Sequence, residues 1–234
     1  MRKLADVIAG YLADGYRFEK IEPDPRAKRS APPVFLIHGW GVRAASMRAL
    51  GDALARDGMT VYNYDYPSSR RGIGEHAAIF LALYRRILSE EHIAQKVRFV
   101  THSMGGLLLR AALAQMTEAE CRSIDAVVML GPPNRGSILA AFGANALVRR
   151  VNASLGDMTT EADSFVNHLP PPLFLPPVGI VAGRFDGKVA LDNTRLPEGQ
   201  PYERTVVDCT HPGLRDPRHT LGAVKRFLLR KTFA

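Results

Sequence analysis

The alternation of short apolar runs with helical patterns, from Val34 onward, leaves few folds open to this chain. The runs are Val34–His38, Thr60–Tyr64, Lys96–Thr101, Ala126–Leu130, Val178–Ala182 and Arg204–Asp208. They are rich in Val, Ile, Phe and Tyr and are bounded by Gly, Pro, Asp or Ser, the pattern of β-strands. Several are apolar almost throughout, as strands covered on both faces must be. Between them, Ala45–Asp57, Gly74–Gln95, Met104–Met116 and Pro217–Leu229 read as helices; in the last, Leu221, Val224, Phe227 and Leu228 recur at helical spacing. Strand, helix, strand, helix predicts an α/β fold with a mostly parallel sheet of about six strands, flanked by helices and joined by right-handed crossovers.

At 234 residues the chain fits one domain, 1–234, with 46% hydrophobic residues to fill a core. One stretch breaks the rhythm. Residues 137–177 contain no clear strand and end in LPPPLFLPP, which predicts a cap or lid inserted in the domain. Leu139, Phe142, Leu147 and Val148 are expected to form its apolar face, with Phe142 and Leu147 against substrate. At the start of the chain, Leu4, Val7, Ile8, Tyr11 and Leu12 predict an amphipathic helix packed on the domain. Asp6 and Asp14 interrupt what would be a signal-peptide core, so the segment does not read as one, and no run approaches the ~20 apolar residues that span a bilayer. A cytoplasmic location is the expectation. The net charge of +8 is spread over small clusters with no nucleic-acid-binding motif, so no nucleic-acid partner is expected. Cys121 and Cys209 lie in no metal-like or redox spacing and read as two separate thiols.

The chemistry begins at Thr101-His102-Ser103-Met104-Gly105-Gly106, which follows a strand and opens a helix. A serine on a sharp strand-to-helix turn is lifted above the sheet, and the helix aims free N–H groups and its positive end at the same place. Upstream, Val34–Ile37 leads into His38-Gly39-Trp40-Gly41, whose glycines let that loop fold close to Ser103. The backbone N–H groups of Trp40 and Met104 are the candidate donors to an oxyanion, and the Trp40 indole is a candidate wall of the substrate pocket. A histidine must take the serine proton. His211 follows the last strand on a turn-rich loop; His219, at the start of the final helix, is the alternative. His76 and His92 lie on a helix away from these loops and are expected at the surface. The carboxylate that orients the imidazole should follow a strand between the serine and the histidine. Asp186 does so, with Asp192 and Asp208 as alternatives.

These segments resemble the lipase/esterase branch of the α/β-hydrolase family, in particular its small bacterial triacylglycerol-lipase-like members. His38-Gly39-Trp40-Gly41 is similar to the oxyanion loop, THSMGG to the nucleophile elbow, LGPPNRGS at 130–137 to the segment after the next strand, GRFDGKV to the acid loop and THPGLRDP to the histidine loop. Thr101 departs from the family's G-x-S-x-G pattern, and its bulk makes the turn harder to pack. The resemblance covers roughly residues 34–230. It implies the α/β-hydrolase fold, a Ser103–His211–Asp186 triad acting without metal or cofactor, and an ester substrate, small or lipid, with peripheral contact to an anionic lipid surface an open expectation. The same triad serves acyl transfer, thioester or amide cleavage, and the same pocket serves a non-catalytic binding protein.

Overall fold

The computed structural model describes residues 2–28, 30–94, 96–137, 152–161 and 164–234. Its sheet has seven strands among these residues: β1 (Arg17–Ile21), β2 (Ser30–Ile37), β3 (Met59–Asp65), β4 (Val97–His102), β5 (Ile124–Leu130), β6 (Val178–Gly183) and β7 (Glu203–Val207). The order across the sheet is β1-β3-β2-β4-β5-β6-β7, with β1 antiparallel to β3 and every other pair parallel. The sheet therefore has one strand more than the six expected. That strand, RFEKI, carries charges on its outward positions and turns Phe18 inward against Phe35 and Tyr64.

Among the described residues the helices are α1 (Arg2–Ala13), α2 (Arg48–Arg56), α3 (Ile73–Glu90), α4 (Met104–Leu113), α5 (Glu118–Arg122), α6 (Ala153–Asp157) and α7 (Pro217–Arg230). Successive residues of a strand face opposite sides of a sheet, and β2 uses both. Phe35 and Ile37 join Phe80, Leu83, Leu107 and Met104 under α3 and α4, whereas Val34 and Leu36 join Leu50, Leu54, Val224 and Leu228 under α2 and α7. All four β2 side chains are fully buried, each contributing on the order of 1.5–3 kcal/mol. In α1, Ile8 and Tyr11 pack on the core while Val7 and Leu12 remain exposed. Cys121 and Cys209 are separate buried thiols.

No helix among the described residues is long and apolar enough to cross a membrane. Of the stretch 137–177 expected to form a cap, residues 138–151 and 162–163 lie outside the described residues, and with them Phe142 and Leu147. The remainder carries α6, a 3-10 turn over Phe165–His168 and the proline-rich return to β6.

This topology selects one place for chemistry. From β2 the chain steps to β3 on one side and then crosses back to β4 on the other. The loops leaving β2 and β4 thus diverge, and a crevice opens at the carboxyl ends of those strands, where ligands bind in open α/β sheets.

Candidate active site

Ser103 stands at the tip of β4 with φ 52° and ψ −127°. That left-handed backbone is strained for a residue with a Cβ, by about 1–3 kcal/mol. It is held from both sides: Ser103 N donates to Leu130 O at 2.9 Å, and Gly106 N donates to Ser103 O at 2.9 Å. Two glycines make the turn fit. A Cβ on Gly105 would collide with the carbonyl oxygen of Ile37, and one on Gly39 would lie 2.8 Å from Ser103 Cβ. Thr101, in the place of the usual glycine, is fully buried within β4 between Ile37 and Met129. Its bulk is accommodated by the bare position 106, where a Cβ would lie 3.3 Å from Thr101 Oγ1.

The loop after β2 is pinned by a buried polar cluster. His38 Nδ1–H donates to Gly39 O at 2.8 Å, Tyr66 N donates to His38 Nε2 at 3.3 Å, and Tyr66 Oη donates to His38 O at 2.9 Å. Burial pushes His38 down to about 4, so the ring is neutral in that bonding pattern. Asp65, at the end of β3, accepts from Arg43 Nε and Nη2 at 2.8 and 2.7 Å and from Ala44 N at 3.0 Å. Burial alone would raise the Asp65 carboxyl, but the Arg43 guanidinium and the Ala44 N–H outweigh it and hold it below its usual range. Gly41 N donates to Ser68 Oγ at 3.0 Å, and Trp40 Nε1 donates to Asn152 Oδ1 at 3.0 Å. The Trp40 backbone N–H meets no acceptor among the described residues.

The loops after β6 and β7 bring Asp186 and His211 together. His211 Nδ1 donates to Asp186 Oδ2 at 2.6 Å, with the two side chains 7% and 1% exposed. The other oxygen, Asp186 Oδ1, accepts from Lys188 N at 2.8 Å and Val189 N at 2.9 Å. The carboxylate is thus satisfied on both oxygens, and His211 Nε2 takes no part in that pairing. His102 Nε2 donates to His211 O at 3.1 Å, tying the elbow to the histidine loop. Burial drives His102 well below its ordinary value, which keeps it neutral.

Of the alternatives, Asp192 pairs with Arg195 and is 81% exposed, Asp208 pairs with Arg184 and is 70% exposed, and His219 lies exposed on α7. His76, expected at the surface, is instead fully buried, bonded at 3.0 Å to Tyr16 Oη. Its face of α3 turns toward the core, and burial pushes it to about 4. His92 is exposed, just past the end of α3.

Ser103 and His211 open onto one cleft of about 240 Å³, walled by Trp40, Val42, Leu155, Met158 and Val189. Ser103 Oγ makes no hydrogen bond among the described residues. Among the described residues no group of three His, Cys, Asp or Glu side chains has the arrangement to hold a metal ion.

A profile of the alpha/beta hydrolase family matches residues 34–229. The chain belongs to the α/β-hydrolase family. No curated protein sequence matches this α/β hydrolase. Solved structures of similar fold include the mature form of a Bacillus licheniformis lipase, at a TM-score of 0.71 and 17% identity over 90% of this chain and 97% of that one. A 2-hydroxy-6-oxo-6-phenylhexa-2,4-dienoate hydrolase from Rhodococcus sp. aligns at 0.61 and 19% identity over 92% and 95%. An esterase from Rhodococcus sp. aligns at 0.58 and 16% identity over 93% and 94%. At such identities the likeness is one of fold.

Proposed function

We propose that this α/β hydrolase cleaves carboxylic esters through Ser103, His211 and Asp186. The observation that carries the reading is the 2.6 Å bond from His211 to the buried Asp186, in a cleft that also receives the strained Ser103. Asp186 holds the imidazole with its proton on Nδ1, which leaves Nε2 free to accept the Ser103 proton. Ser103 Oγ then bonds to the ester carbonyl carbon, and the carbonyl oxygen becomes an oxyanion. The N–H groups of Trp40 and Met104 are suited to receive it; one loop donor of this kind is worth about 3–4 kcal/mol. In support, the Trp40 N–H meets no acceptor among the described residues, and Met104 is the first residue of α4, whose opening N–H groups have no acceptor within the helix. Collapse of the intermediate breaks the carbon–oxygen bond, and the alcohol leaves with the proton from His211 Nε2. Water, deprotonated by the same nitrogen, attacks the acyl-serine, and its breakdown returns the proton to Ser103 and releases the acid.

The walls of the cleft are mainly apolar, which suits the carbon chain of an ester. Leu155 and Met158, from the described part of 137–177, are among them, and we read that segment as shaping the acyl pocket. The test is covalent labelling with a fluorophosphonate alongside hydrolysis of nitrophenyl esters of increasing chain length. Wild-type protein is expected to label and turn over. Ser103→Ala is expected to do neither while keeping its circular dichroism spectrum. Labelling of the alanine variant, or an unlabelled wild type that hydrolyses no ester, overturns the assignment.

A further inference from the structure

The cleft contains two cations that the proposed chemistry does not use. Lys188 and Arg215 line it together with Ser103 and His211, and no aspartate or glutamate is among the described lining residues. Arg215 is the less ordinary of the two. It is half-buried, its Nε is shut off from solvent without a hydrogen-bond partner, and no carboxylate among the described residues pairs with it. It lines the same cleft as His102, Ser103 and His211.

The surrounding loops are not short of carboxylates; the carboxylates are engaged elsewhere. Asp186 bonds His211 and two backbone N–H groups, Asp192 bonds Arg195, and Asp208 bonds Arg184. Asp216, next to Arg215 in sequence, caps α7 and bonds Arg218 instead. A guanidinium partly removed from water and left without a counter-charge costs stability. An anionic ligand would supply the missing partner.

We propose that the cleft recognises substrates bearing an anionic oxygen group, a carboxylate or a phosphate, bound by Arg215 and Lys188 while the scissile carbonyl lies at Ser103. The ester part of this statement rests on the function proposed above; the anion part rests on the two cations. Apolar walls and a cationic end together suit an ester of modest size with a carbon chain and one charged terminus. A guanidinium matches both oxygens of such a group.

Two measurements test this. Trp40 is the chain's single tryptophan and lines the cleft, so its fluorescence reports occupancy without turnover. Adipate and glycerol 3-phosphate are titrated against the neutral adipamide and glycerol. Hydrolysis is followed for monomethyl adipate against methyl adipamate, with the charge on the acyl side. It is also followed for the acetyl ester of glycerol 3-phosphate against glycerol monoacetate, with the charge on the alcohol side. The anionic member of at least one pair is expected to bind, and to react by kcat/KM, about 10–100-fold better than its neutral match. Arg215→Gln is expected to collapse that ratio toward one, and Lys188→Gln to reduce it less; the pair showing the preference tells on which side the charge is read. Equal binding of charged and neutral ligands, or a preference that survives Arg215→Gln, overturns the proposal, and neutral ester turnover would then leave the ester reading standing. Arg215-dependent binding of adipate with no hydrolysis of any ester upholds the anion site and removes the ester reading.

Discussion

Asp186 differs from the neighbouring carboxylates in what its oxygens touch. Asp192 and Asp208 lie in solvent against arginines, whereas Asp186 is closed off and bonded on both oxygens. Asp186→Asn would leave the shape nearly unchanged but would favour the wrong imidazole tautomer. It is expected to lower kcat for a nitrophenyl ester by about 10²–10⁴-fold at neutral pH. Asp192→Asn and Asp208→Asn should change it by no more than a few-fold, and a larger loss from either would move the acid. The loops that carry Asp186 and His211 were legible in the sequence, because each follows an apolar run and is rich in turn residues. The environments of His76 and His102 were not. The burial of His76 depends on which face of α3 meets Tyr16, 60 residues away, and the bond from His102 to His211 O spans 109 residues. That no described carboxylate pairs with Arg215 was equally hidden, since Asp216 beside it suggests a partner that is in fact turned to Arg218.

Between elements, the clearest dependence joins α6 to α3. Helix α3 begins after Gly72, which has no side chain with which to cap it. Asp157, 84 residues beyond Ile73, supplies the acceptor, its Oδ2 taking the Ile73 N–H at 2.7 Å. Burial raises the Asp157 pKa, although the Ile73 N–H pulls the other way. Ser154 Oγ contacts Ser68 O at 2.8 Å and Arg71 O at 2.7 Å, so the same short helix is tied to the chain ahead of α3. Asp157→Ala is expected to cost about 1–2 kcal/mol, the usual loss for a helix cap, read as a lower urea midpoint. Because Leu155 and Met158 wall the cleft, KM for a long-chain ester should rise with it; an unchanged midpoint would mean that α6 contributes no cap. Periodicity located α7 and the start of α3 to within a residue, but carried α3 five residues past its observed end at Glu90, to Gln95. It did not reveal β1, whose five residues form an antiparallel edge strand with only Phe18 and Ile21 apolar.

Across the whole molecule, buried titrating groups set the response to acid. His38 and His76 are pushed to about 4 by burial, whereas in the unfolded chain they take protons near 6.5. The unfolded state therefore binds more protons between those values, and stability present above pH ~6.5 is lost as the pH falls toward 4. Each group contributes at most ~1.4 kcal/mol per pH unit in that window. Asp65, with a lowered carboxyl, adds a loss below about pH 4, once its unfolded counterpart is protonated. The melting temperature is expected to fall between pH 7 and 4.5, and His76→Phe to make that fall shallower whatever it does to stability at pH 7. An equal slope in the variant would show that His76 does not titrate with unfolding. The parallel order of six strands was readable from their alternation with helices, but the pairing of β2 with β4 was not, because adjacency across a crossover leaves no local mark.

That crossover also bears on how the chain reaches its native state. Helices close contacts three or four residues apart, whereas β2 must wait for β4, and the Ser103 turn for the His211 loop. Pairings so distant along the chain form slowly. On refolding from denaturant, helical circular dichroism should return first, and reactivity of Ser103 toward a fluorophosphonate only once β6 and β7 have docked. For a time the protein would carry most of its backbone signal and remain chemically silent.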